Sequence, residues 1–153
     1  MSLDSLTPVI GVAADHAAHE ARLAVIQALM DRGFQVRDFG AHEPVAMDYP
    51  DSIVPCARAL SHGEVHLAVV LCGSGIGASI CANKLKGVRC ALCLEVESAR
   101  LSRLHNDSNC LALAGRMRSV EENLRILATW LDTSFEGGRH TRRLEKLHGL
   151  TGC

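Results

Sequence analysis

The chain predicts an α/β fold in which five parallel strands form one sheet with helices on both faces. Three observations carry that expectation. Short apolar runs alternate with stretches whose apolar residues recur at helical spacing, the pattern of strands joined by crossover helices. Runs such as Ala68-Val69-Val70-Leu71 are apolar at successive positions, as strands covered on both faces are. The 153 residues suffice for one domain with an adequate core, and no linker, internal repeat or low-complexity tract divides them.

Taken in order, Pro8 to Ala14 reads as the first strand. Ala17 to Arg32 carries Leu23, Ile26, Leu29 and Met30 at helical spacing and stops at Gly33. Phe34 to Phe39 alternates as a short strand ending at Gly40, and residues 41 to 49 form a polar loop. Tyr49-Pro50 then opens a helix that reaches about Leu60, since proline is favoured in a first turn. Val65 to Leu71 is the third strand, followed by a glycine-rich turn and a helix from Ala78 to Lys84. Arg89 to Leu94 is a fourth strand and Val96 to Leu104 a helix. Cys110 to Ala114 is the fifth strand, and Val120 to Leu131 is a strongly amphipathic helix. Glu136-Gly137-Gly138 breaks the chain before a last short helix, Thr141 to Leu147.

Composition excludes several classes of function. A net charge of −1 offers no basic footprint for nucleic acid, and 3% aromatics are too few for base stacking. No apolar run approaches the roughly 20 residues of a membrane span. The first seven residues lack the apolar centre of a signal peptide and are expected to be flexible. Seven cysteines, an odd number lying mostly in apolar runs or on helices, suit buried thiols in a reducing compartment, so a cytoplasmic location is expected. In such a compartment the Asn106-Asp107-Ser108 sequon goes unused.

The most informative stretch is Leu71-Cys72-Gly73-Ser74-Gly75-Ile76-Gly77. A strand passing through glycines into a helix exposes backbone N–H groups that favour a phosphate or a developing oxyanion. A thiol in such a turn is a candidate base or nucleophile. A rival reading exists: Gly73-x-Gly75-x-x-Ala78 with Glu95 fits a relaxed dinucleotide fingerprint, although it follows the third strand rather than the first.

Ligands in open parallel sheets bind beyond the carboxyl ends of the strands. The residues there are Asp15-His16, Asp48-Tyr49, Cys72 with Ser74, Glu95, and Gly115-Arg116, expected to converge in space. Asp15 also reads as a plain helix N-cap. His105-Asn106-Asp107 reads either as an acid–base group or as a helix end with Asn106 making the turn. Arg139 and Arg143 are four apart on one helix face, which suits a phosphate dianion or simply a solvated basic face. Cys90-x-x-Cys93 tempts a metal or redox reading, but residues three apart on a strand point to opposite faces and no further zinc ligands accompany them.

Together these segments resemble the type B ribose-5-phosphate isomerase family, which includes the galactose-6-phosphate isomerase subunits. The resemblance runs from about Val9 to Leu147 and rests on five segments in order. They are Ala14-Asp15-His16-Ala17, Asp48-Tyr49-Pro50-Asp51, Cys72 to Gly77 with Ala82-Asn83-Lys84, His105-Asn106-Asp107-Ser108-Asn109, and Gly137-Gly138-Arg139-His140 with Arg143. It implies a Rossmann-like three-layer αβα sandwich and an aldose–ketose isomerase with no metal or nucleotide cofactor. It also implies a homodimer or dimer of dimers with shared active sites, and a C-terminal segment, residues 137–150, packing on a partner subunit.

By position, the resemblance makes Cys72 the base that moves a proton between C2 and C1 of a phosphorylated sugar. Members that use a glutamate carry it just after the third glycine, where this chain has Ala78. Ser74 and the amides of Gly73, Gly75 and Gly77 would hold the enediolate. His105 would open the furanose, helped by Asp15 and Asp48. Tyr49 and Asn106 would meet sugar hydroxyls, and His16, Arg116, Arg139 and Arg143 the phosphate. The chain departs from the family pattern at Ala17 to Arg22 and at Met47, which bears on the sugar accepted: ribose 5-phosphate, or a four- or six-carbon relative.

Overall fold

A computed structural model describes residues 7–153; residues 1–6, nearly all of the segment expected to be flexible, lie outside it. Strands β1 (Val9–Ala14), β2 (Gln35–Asp38), β3 (Leu67–Cys72), β4 (Cys90–Leu92) and β5 (Cys110–Ala114) form one sheet in the order β2-β1-β3-β5-β4, and every pairing is parallel. A 3-10 turn at His16–Ala18 leads into α1 (His19–Asp31). The other helices are α2 (Pro50–Ser61), α3 (Ile76–Ala82), α4 (Val96–Asn106), α5 (Val120–Asp132) and α6 (Arg139–Thr151). This is the expected three-layer sandwich with its five parallel strands.

The core divides into two layers because strand residues alternate between faces. Ile10, Val12, Val69, Leu71, Leu111 and Leu113 meet Val25 and Leu29 of α1, Ala99 of α4 and Ile126, Leu127 and Trp130 of α5. The opposite face is built from smaller groups: Ala68, Val70, Cys72, Cys110 and Ala112 pack with Ile53, Cys56 and Ala57 of α2 and Ala78 and Ala82 of α3. Gly11 belongs to the same economy of space, since a Cβ there would lie 2.9 Å from Cys56 Sγ. Small side chains let α2 and α3 approach the sheet closely, and Cys72 points into that face.

Between α4 and α5 the buried polar groups form a short chain of hydrogen bonds. Trp130 Nε1 donates to Ser108 Oγ at 2.8 Å, and Ser108 Oγ lies 2.9 Å from Ser102 Oγ, which donates to the Ala99 carbonyl. The Arg103 guanidinium covers the Trp130 ring and donates to the carbonyls of Thr133 and Ser108. These contacts fasten α4 to α5. Arg22, 2% exposed on α1, pairs with Asp38 at the end of β2, whose Oδ1 accepts from Gly40 N at 3.0 Å.

Element boundaries depart from expectation where end chemistry decided them. Gly75, at φ +75°, caps α3 and starts it two residues early, at Ile76. Helix α4 runs through Asn106 and Asp107 takes the left-handed turn at φ 42°, so the turn residue is Asp107 and not Asn106. Gly137 and Gly138, both at positive φ, turn the chain so that α6 begins at Arg139, and it continues past Leu147 to Thr151, with Gly152 as its cap. Strand β4 is shorter than expected because it is an edge strand, paired only with β5.

All seven cysteines are free thiols. Burial pushes the Cys56 thiol up to about 12 and raises Cys93, while Cys110 is raised by its contact with Cys90 and by burial. Cys90 and Cys93 belong to opposite core layers, as their spacing predicts.

Two outcomes are expected. Trp130→Phe removes the indole N–H from Ser108 Oγ, which keeps Ser102 Oγ as its remaining partner, and costs about 0.5–1.5 kcal/mol of stability, readable from urea unfolding. At pH 8 a chromogenic disulfide reagent leaves Cys56, Cys93 and Cys110 unmodified in the native protein and labels them on unfolding. Because their folded-state thiols ionise above the ordinary thiol range, their contribution to stability is complete below that range and declines as pH rises through it, which a pH series of melts will show.

Candidate active site

The parallel register brings Ala14, Cys72 and Ala114 to one edge of the sheet, because Ala14 pairs with Leu71 and Cys72 with Ala114. The chain leaves each of these strands into a short turn, and the turns interlock. Gly115 N donates to the Cys72 carbonyl and Arg116 N to the Gly73 carbonyl, both at 2.9 Å. A Cβ on Gly115 would lie 2.6 Å from the Ala18 Cβ, so only glycine lets the turn after β5 meet the one after β1.

Within the glycine loop each small residue has a separate job. Gly75 adopts φ +75° and sits where a Cβ would meet Leu92 Cδ1 at 2.6 Å and the Leu113 carbonyl oxygen at 3.0 Å. The Tyr49 ring lies directly over Gly77, 2.8 Å from where a Cβ would stand. Arg116 crosses Gly73, its Cδ 3.3 Å from the corresponding point. Ser74 Oγ accepts from Ile76 N at 3.2 Å, which leaves its own O–H free to donate elsewhere. Cys72 is 5% exposed at the base of this arrangement.

The flanking turns hold the remaining groups. Asp15 is buried and Oδ1 accepts from Ala17 N at 3.0 Å, so the N-cap reading of this residue holds. His16 Nδ1 accepts from Met47 N at 3.2 Å, which makes Nε2 the nitrogen that carries a proton. His19 Nδ1 lies 3.1 Å from the Ala41 carbonyl oxygen. His16 and His19 thereby pin both ends of the loop that delivers Asp48 and Tyr49. Ser52 Oγ donates to the Ala14 carbonyl at 2.7 Å, tying the start of α2 to the end of β1. Asp48 itself is exposed.

One chain does not bring all the expected residues together. Asp15, His16, Asp48, Tyr49, Cys72, Ser74, the three loop glycines and Arg116 share the carboxyl edge. His105 and Asn106 end α4, just before the chain enters β5 at Cys110, and so lie at the amino edge. The four-residue step from Cys110 to Ala114 separates the two edges by about 13 Å of strand. Arg139 and Arg143 belong to α6 and go with His105: the His140 ring, between them in sequence, stacks on His105 with centroids 4.4 Å apart. His140 stands in the Gly137-Gly138-Arg139-His140 segment of the resemblance without a role there; its burial and this stack single it out.

Glu95 follows β4 as the N-cap residue of α4, and β5 lies between β4 and β3. The acid of a dinucleotide fingerprint belongs to the strand beside the glycine turn, so the sheet order removes the main support for that reading. Among the described residues, the group with ligand atoms close enough for a metal ion is His105, Glu136 and His140, within 4.8 Å of one another. Its two imidazoles are stacked within 18° of parallel, and an ion binds in the plane of a ring. Both histidines cannot reach one ion in this arrangement. No helix among the described residues is long and apolar enough to cross a membrane.

Comparison with known proteins agrees with this architecture. Residues 10–147 match the family described as Ribose/Galactose Isomerase. The chain is 38% identical over 141 residues to the ribose-5-phosphate isomerase B of Escherichia coli K12, covering 92% of this chain and 95% of that protein. It is 34% identical to the D-erythrulose-4-phosphate isomerase of Pectobacterium atrosepticum, covering 90% and 91%. Among solved structures, the Clostridium thermocellum ribose-5-phosphate isomerase B superposes with a TM-score of 0.91 at 40% identity, covering 94% and 97% of the two chains. The Mycoplasma genitalium ribose-5-phosphate isomerase B with bound ribulose-5-phosphate gives 0.91 at 34% identity, covering 94% and 96%. With its family matched from β1 to the last helix at this level of identity, the chain belongs to the Ribose/Galactose Isomerase family.

Proposed function

We propose that this chain is an aldose–ketose isomerase of phosphorylated sugars that interconverts ribose 5-phosphate and ribulose 5-phosphate without a metal or nucleotide cofactor. The observation that carries the reading is the nearly buried Cys72 at the end of β3, entering a turn of three glycines beneath Tyr49 and Arg116. That is the layout of a base beside an anion-stabilising backbone.

In this reading the furanose opens first, with His105 exchanging the proton and Asp15 and Asp48 assisting. The Cys72 thiolate then takes the C2 proton; the C2–H electrons form the enediolate double bond and the carbonyl oxygen gains negative charge. The Ser74 hydroxyl and the amides of Gly73, Gly75 and Gly77 face that charge. The proton returns at C1 and the carbonyl reforms at C2, so nothing is consumed. Tyr49 and Asn106 contact sugar hydroxyls. His16, Arg116, Arg139 and Arg143 bind the phosphate, and guanidinium groups suit a dianion held far from the reacting carbons.

Each site needs two copies of the chain. A homodimer, alone or paired into a tetramer, lets the amino edge of one subunit, with His105, Asn106, Arg139 and Arg143, face the carboxyl edge of its partner. Two features support it. Ile76, Ile80, Val96 and Met117 are large apolar side chains left about half exposed around the carboxyl edge. Helix α6 buries only His140 in its own chain while Leu147 and Leu150 stay exposed, as expected of a segment, residues 137–150, that packs on a partner. The free thiols fit a cytoplasmic enzyme. A four-carbon substrate is the second reading, favoured by the relative named for D-erythrulose 4-phosphate and by Met47 on the loop that His16 holds.

With chelator present, the protein is expected to turn over ribose 5-phosphate, and Cys72→Ala to lose at least about a hundredfold in kcat, within the range for removing an acid–base group. No turnover on ribose 5-phosphate, erythrose 4-phosphate, allose 6-phosphate or galactose 6-phosphate overturns the reading. Mixing inactive Cys72→Ala and His105→Ala subunits under exchange conditions is expected to restore about a quarter of wild-type activity, since half the dimers then carry one intact site. Activity that stays absent in the mixture, with exchange verified by mass, contradicts the shared site.

A further inference from the structure

We propose that His140 and Glu136 form a positioning pair for His105, the imidazole assigned above to ring opening; the inference rests on that isomerase reading. Helix α6 buries a single side chain, and that side chain is a histidine, 4% exposed. A lone buried polar ring calls for a polar explanation. It stacks flat on His105, with centroids 4.4 Å apart and planes 18° from parallel. Glu136 Oε2 stands 3.1 Å from His140 Nε2 and 3.9 Å from His105 Nε2, so one carboxylate serves the same edge of both rings. His140 Nε2 nevertheless closes no aligned hydrogen bond.

The backbone that carries the carboxylate is itself fixed. Glu136 N donates at 3.1 Å to the carbonyl of Leu104, the residue before His105, so the carboxylate's backbone is anchored to the last turn of α4. Arg100 of α4 acts on Glu136 by charge, and Arg143 Nη1 approaches His140 Nδ1 at 3.5 Å from the other side. These are the charged groups around the stack from both elements that form it.

Ring opening needs this kind of restraint. The C1–O ring bond breaks as C1=O forms; the ring oxygen gains a proton and the anomeric hydroxyl loses one. An imidazole serving that exchange must be held at a fixed angle to the sugar. His105 sits in the last turn of a helix, half-buried, where its side chain would otherwise turn freely. The flat face of His140 removes that rotation, and Glu136 holds a proton-bearing ring edge by charge.

The test separates ring opening from proton transfer. Ribulose 5-phosphate cannot close a furanose because its C5 oxygen carries the phosphate, so its C1 hydron exchanges with solvent through the enediolate with no ring step. His140→Ala is expected to lower kcat on ribose 5-phosphate about tenfold or more. KM should move less than about threefold, with C1 exchange of ribulose 5-phosphate in D2O, followed by NMR, kept near the wild-type rate. His140→Phe, which restores a flat ring, recovers part of kcat. Glu136→Gln keeps its shape at an exposed position and carries the test where His140→Ala fails to fold; its kcat is expected to fall with exchange intact. An unchanged kcat in Glu136→Gln and His140→Ala overturns the proposal. So does a raised KM with kcat intact, which would assign His140 to the α6 arginines, or a parallel loss of exchange. A wild type that neither isomerises nor exchanges defeats the isomerase reading instead.

Discussion

The β1–β3–β5 ladder, parallel and buried on both faces, is the constraint on which the rest of this structure depends. Parallel strands need crossover connections, here helices, which return the chain to the same edge before each new strand. All strand carboxyl ends therefore meet at one edge, and the crossover helices α1 to α4 deliver the chain back to the other. The ladder also sorts side chains by size. Leu and Ile on one face pack against α1, α4 and α5, while Ala, Cys and Gly on the other admit α2 and α3 at close range. Cys72 inherits its setting from this division: it is the last residue of a small-residue row and the first of the glycine turn.

The carboxyl edge is assembled by subtraction. Gly73, Gly75, Gly77 and Gly115 each clear a volume that another group occupies: Arg116, Leu92, Tyr49 and Ala18 respectively. Fixing the backbone of so many glycines is entropically costly, and the hydrogen bonds from Gly115 N and Arg116 N into the Cys72 and Gly73 carbonyls repay part of it. The outcome is a row of amides held beside a thiol by turns that lock one another, with the two histidine contacts of the 41–49 loop completing the rim.

The opposite edge is organised by charge. Arg89 donates to the carbonyls of Asn106 and Asp107 and meets His148 of α6 at 3.2 Å. Arg103 ties Asp107 to the Trp130 layer. The end of α4 is thus braced from the sheet and from α6, and the His105–His140–Glu136 group grows out of that bracing. In the proposed reading the two edges, one shaped by absent side chains and one by ionic contacts, belong to a single site only when two copies of the chain meet.

The order of strands and helices was legible from local pattern alone, because hydrophobic period and glycine or proline punctuation are properties of neighbouring residues. So was Cys72 with its glycines, and so were the segments that carry the family resemblance. Boundaries such as the start of α3 at Gly75 and the turn at Asp107 were less so, since a single left-handed residue moves them and several candidates lay within reach. What only the tertiary structure decided is who meets whom. The insertion of β5 between β3 and β4, which parts Glu95 from the glycine loop, is a matter of long-range pairing. So are the separation of His105 from Cys72 and the stack of His140 upon it. Such meetings depend on contacts between residues distant along the chain, and no local period encodes them.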